Sequence, residues 1–382
     1  MPLSRVTEAI DEIRRGNAII LVDDEDRENE GDFVVAAEKT TPDWVNFMAK
    51  NGRGLICLAL TQERAHELDL GLMVSNNTSP YATAFPPSIE AREGVTTGIS
   101  ASDRAHTIST AVNPENNAED IRKPGHVFPL IARPGGVLVR AGHTEGSVDL
   151  ARLAGLRPAG VICEILNEDG SMARRGQLEE VAKIFRLKMV SIAELIAFRR
   201  VKEKLIRREV EVDMSLIYGD FRVMVYQSEL DSAEHAVFVK GDCTTGEPPL
   251  VRMQSANVSM EVMSFMRRGF ESPLAKALTT IEQEGRGAVV CIGSPKGEER
   301  MTDIIKQIES PMPADHGMSD RQLRNYGVGA QILVDLNIGR FRLLTNNPRR
   351  IVGLDGYDLE VIDTVPMSQP AKQANVRPLR GE

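Results

Sequence analysis

The sequence predicts a two-domain α/β protein, and three observations carry that expectation. In the first half, short apolar runs closed by turn residues alternate with stretches that open on helix-start signals, the order expected of layered α/β folds. At 382 residues the chain exceeds what one hydrophobic core usually serves. Midway, around residues 199–212, apolar patterning gives way to a strongly charged stretch, and the boundary is placed there. The division expected is 1–205 for the first domain, 206–367 for the second, and a polar tail at 368–382 whose two prolines and lack of periodicity predict disorder.

The elements follow in order. Ala18-Ile19-Ile20-Leu21-Val22 and Phe33-Val34-Val35-Ala36-Ala37 read as strands. Between them residues 23–32 hold seven carboxylates and one arginine, so this acidic decapeptide is a turn clamped between strands rather than a tail. Thr41 before Pro42 is an N-cap with proline at the first helical position, opening a helix to about residue 50. A buried strand at 54–60 and a helix at 62–68 come next. Residues 70–104 show little periodicity, and a loop of that length in a compact domain is more often functional than idle. Gly160-Val161-Ile162-Cys163-Glu164-Ile165-Leu166 is a strand, Asn167-Glu168-Asp169-Gly170 a turn, and 178–187 and 192–200 are helices. The second half begins with strands at 221–226 and 236–240, and later shows a helix at 322–336 and a strand at 341–344. There is no internal repeat.

Composition excludes several classes. A net charge of −9 argues against a general nucleic-acid binder. No run approaches the roughly 20 apolar residues that span a bilayer, and the N-terminus lacks the apolar core of a signal peptide. The four cysteines, at 57, 163, 243 and 291, lie far apart in apolar surroundings and read as buried free thiols of a reducing compartment, hence a cytoplasmic protein.

Chemistry concentrates in three elements. So much like charge in the short 23–32 turn is costly without a cation, and hard divalent ions such as Mg²⁺ or Mn²⁺ choose oxygen ligands of this kind; a solvated acidic hairpin is the plain alternative. Neither Asp24 nor Asp26 starts an EF-hand register. The second element is Arg140-Ala141-Gly142-His143-Thr144-Glu145, where glycine permits close backbone approach, an arginine, a threonine and a helix start suit a phosphate, and His143 could complete a metal site. The third is Glu164, a carboxylate in an apolar strand, to be paired, metal-linked or held for proton transfer. Taken singly, His143 reads equally as a hydrogen-bonded structural histidine and Glu164 as an ion-paired edge residue. His126 sits in Lys123-Pro124-Gly125-His126-Val127-Phe128-Pro129, whose stiff backbone suits a placed general acid or base.

Five blocks in this order resemble 3,4-dihydroxy-2-butanone 4-phosphate synthase, an enzyme of riboflavin biosynthesis. They are Asp26-Arg27-Glu28-Asn29-Glu30-Gly31-Asp32, Thr96-Thr97-Gly98-Ile99-Ser100-Ala101-Ser102-Asp103-Arg104-Ala105, Gly125-His126-Val127-Phe128-Pro129-Leu130, Arg140-Ala141-Gly142-His143-Thr144-Glu145 and Asn167-Glu168-Asp169-Gly170. The resemblance spans roughly residues 3–200. It implies metal-dependent conversion of D-ribulose 5-phosphate to 3,4-dihydroxy-2-butanone 4-phosphate and formate, by a homodimer with active sites at the subunit interface. By motif, Glu28 and His143 would be the protein ligands of Mg²⁺ (or Mn²⁺), with substrate oxygens and water filling the shell. Arg27, Asp32 and the segment Arg140, Ala141, Gly142, His143, Thr144 would contact substrate, as would Glu164, while His126 and Glu164 are required for catalysis. The chemistry agrees: proton removal beside a ketone builds negative charge that a divalent cation stabilises, and the later steps need proton carriers such as Glu164 and His126. The loop at 74–90 is expected to close over the substrate.

The second half resembles GTP cyclohydrolase II through Arg324-Asn325-Tyr326-Gly327-Val328-Gly329-Ala330-Gln331-Ile332-Leu333 and Arg342-Leu343-Leu344-Thr345-Asn346-Asn347-Pro348. That family binds zinc through three cysteines, but here no cysteine falls between Cys243 and Cys291, so no zinc is expected. Gln322 stands where the family has an aspartate, and the second glycine-rich block reads Gly293-Ser294-Pro295-Lys296-Gly297-Glu298. The expectation is a synthase with a degenerate cyclohydrolase-like domain; the alternatives are a bifunctional enzyme with a non-standard second site, or a regulatory or partner-binding module.

Overall fold

A computed structural model of the chain describes residues 5–24, 27–81, 83–255, 272–293, 320–346 and 357–367. They form two compact units, Met1–Arg200 and Val201–Glu382. The second-half stretch at 256–270 where zinc cysteines would lie, residues 294–298, the side chains of Gln322 and Arg324, Asn347 and Pro348, and the tail from 368 lie outside the described residues, as does Asp26 of the acidic turn.

The first unit is three layers around a mixed seven-stranded sheet. Its strands are β1 (Ile19–Val22), β2 (Gly31–Ala36), β3 (Cys57–Leu60), β4 (Ile89–Ala91), β5 (Ile121–Ile131), β6 (Ala159–Glu164) and β7 (Lys188–Ser191), in the order β4-β5-β3-β6-β2-β1-β7. Strand alternation sends successive side chains to opposite faces. Phe33, Val35, Leu58 and Val161 therefore pack with α2 (Pro42–Phe47), α3 (Gln62–Glu67), α4 (Ala101–Val112) and α6 (Arg175–Phe185). On the other face Val34, Ala36, Cys57 and Ile162 meet α1 (Val6–Arg15), α5 (His143–Leu153) and α7 (Ile192–Lys202). Central strands covered on both sides read as continuous apolar runs, which is why β1, β2 and β6 are visible in the sequence. Phe33 is fully buried, and truncating such a residue to alanine costs about 3–5 kcal/mol.

Capping sets several helix starts. Thr41 Oγ1 accepts from the Trp44 amide with Pro42 at the first position, and the helix expected to reach residue 50 runs on as a π turn, Met48–Gly52. The apparently featureless stretch 70–104 contains β4 and the start of α4, whose cap is Ser100 Oγ accepting from the Asp103 amide. Strand β5 escapes sequence reading because Lys123-Pro124-Gly125 breaks its alternation. In the structure those residues fall at a register shift: Ile89 pairs with Val127 but Glu90 with Arg122, and bulges are where strands admit proline.

The second unit is also a seven-stranded sheet between helices. Its strands, β8 (Ile206–Leu216), β9 (Gly219–Ser228), β10 (Glu234–Lys240), β11 (Leu250–Ser255), β12 (Gly287–Ile292), β13 (Arg340–Leu344) and β14 (Glu360–Val365), run in the order β14-β13-β11-β12-β10-β9-β8. Ala277, Leu278 and Ile281 of α8 (Pro273–Glu284) pack on Val289 and Cys291, and Ile332 and Leu333 of α9 (Asp320–Asp335) pack with Met224, Tyr226 and Val237. Much of the charged stretch at 199–212 is edge strand β8, paired with β9 from Ile206 opposite Ser228 to Leu216 opposite Gly219. An edge strand facing water tolerates, and is protected by, charge. All four cysteines are buried and none forms a disulfide. No helix among the described residues is long and apolar enough to cross a membrane.

Candidate active site

The acidic turn closes the β1–β2 hairpin, with Val22 opposite Gly31. Its organiser is Asp23, whose side chain is 1% exposed. Asp23 Oδ2 accepts from Arg27 Nη1 at 2.8 Å and the Glu28 amide at 3.1 Å, and Oδ1 from the Glu30 amide at 2.8 Å. Asn29, at φ 54°, takes the left-handed conformation that asparagine tolerates, so the turn reverses at once into β2. Glu28 is thereby held with Oε2 3.0 Å from Arg27 Nη1 and 3.7 Å from His143 Nδ1. Burial alone would raise the Glu28 carboxyl; the nearby His143 and the Arg27 charge outweigh it and hold the group below its usual range.

His143 comes from the opposite element, as the first residue of α5, and is 6% exposed. Gly142 caps the helix without a side chain, and a Cβ there would press on the Arg140 guanidinium and Glu145. Arg140 brackets the site: Nη1 pairs with buried Glu145 at 2.6 Å, and Nη2 donates to Thr83 Oγ1 at 2.9 Å. Tyr81, in the same loop, donates to the Arg27 carbonyl at 2.9 Å and lies under the Arg27 guanidinium, 5.0 Å from its ring centre. The 74–90 loop thus already reaches the acidic turn. Thr144 is buried beside His143, and the first turn of a helix favours anions.

Asp32 on β2 lies directly across from Glu164 on β6. Sequence marks Glu164 as the carboxylate in apolar surroundings, but the structure makes Asp32 the fully buried one, 3% exposed, while Glu164 is half-buried and its Oε2 accepts from the Leu55 amide at 2.8 Å. The reason is position: Asp32 lies one residue inside β2 and Glu164 is the last residue of β6. Burial, only partly offset by His143 and reinforced by Glu164 and Glu28, pushes Asp32 up to about 7. For His143 burial pulls downward, but the charge of Asp32 and the neighbouring Glu28 and Asp23 carry it up to about 9. The thiols of Cys57 and Cys163 are pushed upward chiefly by burial, so neither is a thiolate.

The structure therefore brings together Arg27, Glu28, Asp32, His143 and Glu164, with Arg140, Ala141, Gly142 and Thr144 leading into α5. His126 stands apart. Its Nδ1 bonds Glu90 Oε2 at 2.8 Å, its ring is 43% exposed, and β3 separates its strand from that of Glu164. Asp23, Tyr81 and Glu90 are the participants that sequence reasoning did not single out. Asp23 had a signal, as the first carboxylate after a strand; Tyr81 and Glu90 had none, because their roles depend on contacts 54 and 36 residues away.

Among the described residues one grouping has the makings of a metal site: Asp23, Glu28 and His143 offer ligand atoms all within 4.8 Å of one another. His143 Nε2 is buried without a hydrogen-bond partner. Buried polar atoms are rarely left so, and carboxylate oxygens plus an imidazole suit a divalent cation.

A family model described as 3,4-dihydroxy-2-butanone 4-phosphate synthase matches residues 7–198. The chain belongs to that family. A second model, GTP cyclohydrolase II, matches residues 207–366. Among its relatives are the riboflavin biosynthesis protein RibBA of Bacillus cereus (strain B4264) and that of Bacillus mycoides (strain KBAB4), each 47% identical over 97% of this chain and 95% of the relative. In structure the synthase is similar to RibBX, a two-domain 3,4-dihydroxy-2-butanone 4-phosphate synthase from A. baumannii, with a TM-score of 0.76 and 39% identity over 96% of this chain and all of that one. It also resembles a 3,4-dihydroxy-2-butanone 4-phosphate synthase in complex with two magnesium ions, with a TM-score of 0.51 and 39% identity over 52% of this chain and 98% of the other. The synthase is thus an enzyme of riboflavin biosynthesis that makes 3,4-dihydroxy-2-butanone 4-phosphate, and its two-domain α/β architecture is that of its relatives.

Proposed function

We propose that the first unit converts D-ribulose 5-phosphate to 3,4-dihydroxy-2-butanone 4-phosphate and formate, with Mg²⁺ or Mn²⁺ held by Glu28 and His143. The observation that carries this reading is the approach of those two side chains from separate elements, His143 Nδ1 lying 3.7 Å from Glu28 Oε2, together with a His143 Nε2 that is buried without a partner. Asp23 completes an oxygen-rich donor set that fits such an ion. A relative bearing two magnesium ions supports the choice of metal. When bound, the cation would supply a Lewis acid that lowers the cost of negative charge on substrate oxygens.

The chain's own groups do the rest. Arg27 and the Arg140–Thr144 approach to α5 orient the phosphorylated sugar, since guanidinium groups and a helix start both favour anions. Asp32, whose carboxyl is pushed upward by burial, donates to or accepts from a substrate hydroxyl. Glu164 moves protons, and so does His126, which stands apart within one chain and would join the site across the subunit interface of a homodimer. The Tyr81 loop, tied to Arg27 and Arg140, limits water access. A homodimer suits the half-exposed run Leu72, Met73 and Val74, which a monomer leaves in water.

We infer that the second unit does not hydrolyse GTP. What supports this is the sequence from Cys243 to Cys291, which offers no thiolate for a zinc site. The test is formate release by the purified chain, given ribulose 5-phosphate with Mg²⁺ and, separately, GTP with Zn²⁺. Formate and the four-carbon phosphate from the first alone are expected. No product from the first would overturn the synthase reading, and turnover of GTP would overturn that of the second unit. Glu164→Gln should bind substrate yet lose turnover, and a fully active variant would remove its proton-transfer role.

A further inference from the structure

We propose that Glu90 is a positioning residue for His126, fixing the imidazole with its proton on Nδ1 so that Nε2 is the nitrogen that exchanges a proton with substrate. The inference rests on the reading of His126 as a proton carrier. An ionised carboxylate only accepts hydrogen bonds. In the neutral imidazole the contact of 2.8 Å from His126 Nδ1 to Glu90 Oε2 therefore places the ring proton on Nδ1 and leaves the lone pair on Nε2. Which nitrogen of a histidine acts is set by the bond the other one makes.

Three features show that this pair is held in place. Glu90 is 12% exposed against 43% for His126, so the carboxylate lies inside and the working ring faces outward. A glycine stands over the carboxylate: at Gly98, φ +87°, a Cβ would overlap the Glu90 carboxyl. That turn is tied down by Asp103, whose Oδ2 accepts from the Gly98 amide at 3.0 Å and from Thr96 Oγ1 at 2.7 Å. Finally, the ring is aimed by the β4–β5 register shift. Gly125 packs so closely on the Ile89 carbonyl that a Cβ would collide with it, and its amide donates to Ser88 Oγ at 3.2 Å. Bulges of this kind re-aim a side chain. Glu90 Oε1 is buried and has no hydrogen-bond partner, so within the described residues the bond to His126 is the one this carboxyl group makes. A carboxylate buried for a single bond to an exposed imidazole is poor economy for stability alone; it suits a group that must hold one tautomer.

The experiment is Glu90→Gln in the full-length chain, read three ways. We expect kcat to fall about 10- to 100-fold, the range for removing support from an acting imidazole, with KM and Mg²⁺ affinity within about twofold of the parent. An amide can present either oxygen or nitrogen to Nδ1, so ¹⁵N spectra should change from one His126 tautomer to a mixture; Asn in place of His126 identifies the signal. Unchanged kcat, or a fall in kcat with the tautomer unaltered, overturns the proposal. Should the variant misfold, the parent spectrum decides, because Nδ1 unprotonated in the neutral ring is equally fatal. If His126→Asn retains full turnover, the reading of His126 as a proton carrier fails, while the tautomer shift still reports whether Glu90 holds the ring.

Discussion

Replacing Asp23 by asparagine should damage metal binding more than folding, and the contacts set the size of the effect. Three donors converge on its carboxylate: Arg27 Nη1 and the Glu28 amide on Oδ2, and the Glu30 amide on Oδ1. Asparagine keeps one acceptor oxygen and turns an NH₂ toward the remaining donor or donors. At least one buried N–H is then unpaired, at about 1–3 kcal/mol, and charge assistance to Arg27 is lost, about another 1 kcal/mol. Because these bonds hold Glu28 toward His143, most of that cost falls on the geometry of the site. A loss of about 2–3 kcal/mol there corresponds to roughly 30- to 150-fold weaker Mg²⁺ binding, at about tenfold per 1.4 kcal/mol. Titration calorimetry with Mg²⁺ and Mn²⁺, paired with thermal melts in chelator, measures both parts. Native affinity together with a native melt would refute the view that Asp23 organises the turn.

The remaining predictions concern the frame around the site. Arg199 on α7 and Asp149 on α5, each 5% exposed, form a buried pair at 2.7 Å; Arg199 also donates to the Gly135 carbonyl at 2.8 Å and Asp149 accepts from the Val137 amide at 2.8 Å. Arg199→Met should therefore cost about 3–5 kcal/mol and lower Tm by roughly 10 °C, and a change under about 2 °C in scanning calorimetry would contradict it. Without metal, pH acts through Asp32 and His143, whose folded values of about 7 and about 9 exceed their ordinary 3.8 and 6.5. The folded state then holds the extra protons, so their contribution falls as pH rises from about 4 through 9. Melting temperature in chelator should decline across that window, and divalent cations, which displace the His143 proton, should bind more tightly toward pH 9; a flat profile would sink the assignment. Truncation after Lys202, before β8 begins at Ile206, should leave a folded first unit, whereas a cut near Met214 would leave most of β8 without its partner strand β9. A chain ending at Lys202 that melts far below the full protein would show that the first unit depends on the second.

Sequence alone determined the features that local chemistry encodes. Buried strands β1, β2 and β6 are apolar runs, Thr41 and Pro42 mark a helix start, and the 23–32 carboxylates between strands announce a cation-seeking turn. His143 and Glu164 stood out because such residue types are costly in apolar surroundings unless they do something, whereas Glu28 and Asp32 were picked out of the acidic turn only by the family resemblance. Tertiary structure decided which of them meet and in what state. Asp32 and Glu164 are neighbours only because β2 and β6 pair, 132 residues apart, and strand register made Asp32 the buried carboxylate. Asp23 became an organiser through backbone amides that have no sequence signature. The charged stretch at 199–212 became an edge strand because a sheet margin tolerates charge on its open side. The partner of His126 is Glu90, a glutamate unremarkable in sequence, brought to it across an irregular strand pair. Periodicity and composition record what each segment buries; which side chains share a site depends on long-range pairing, which no local pattern contains.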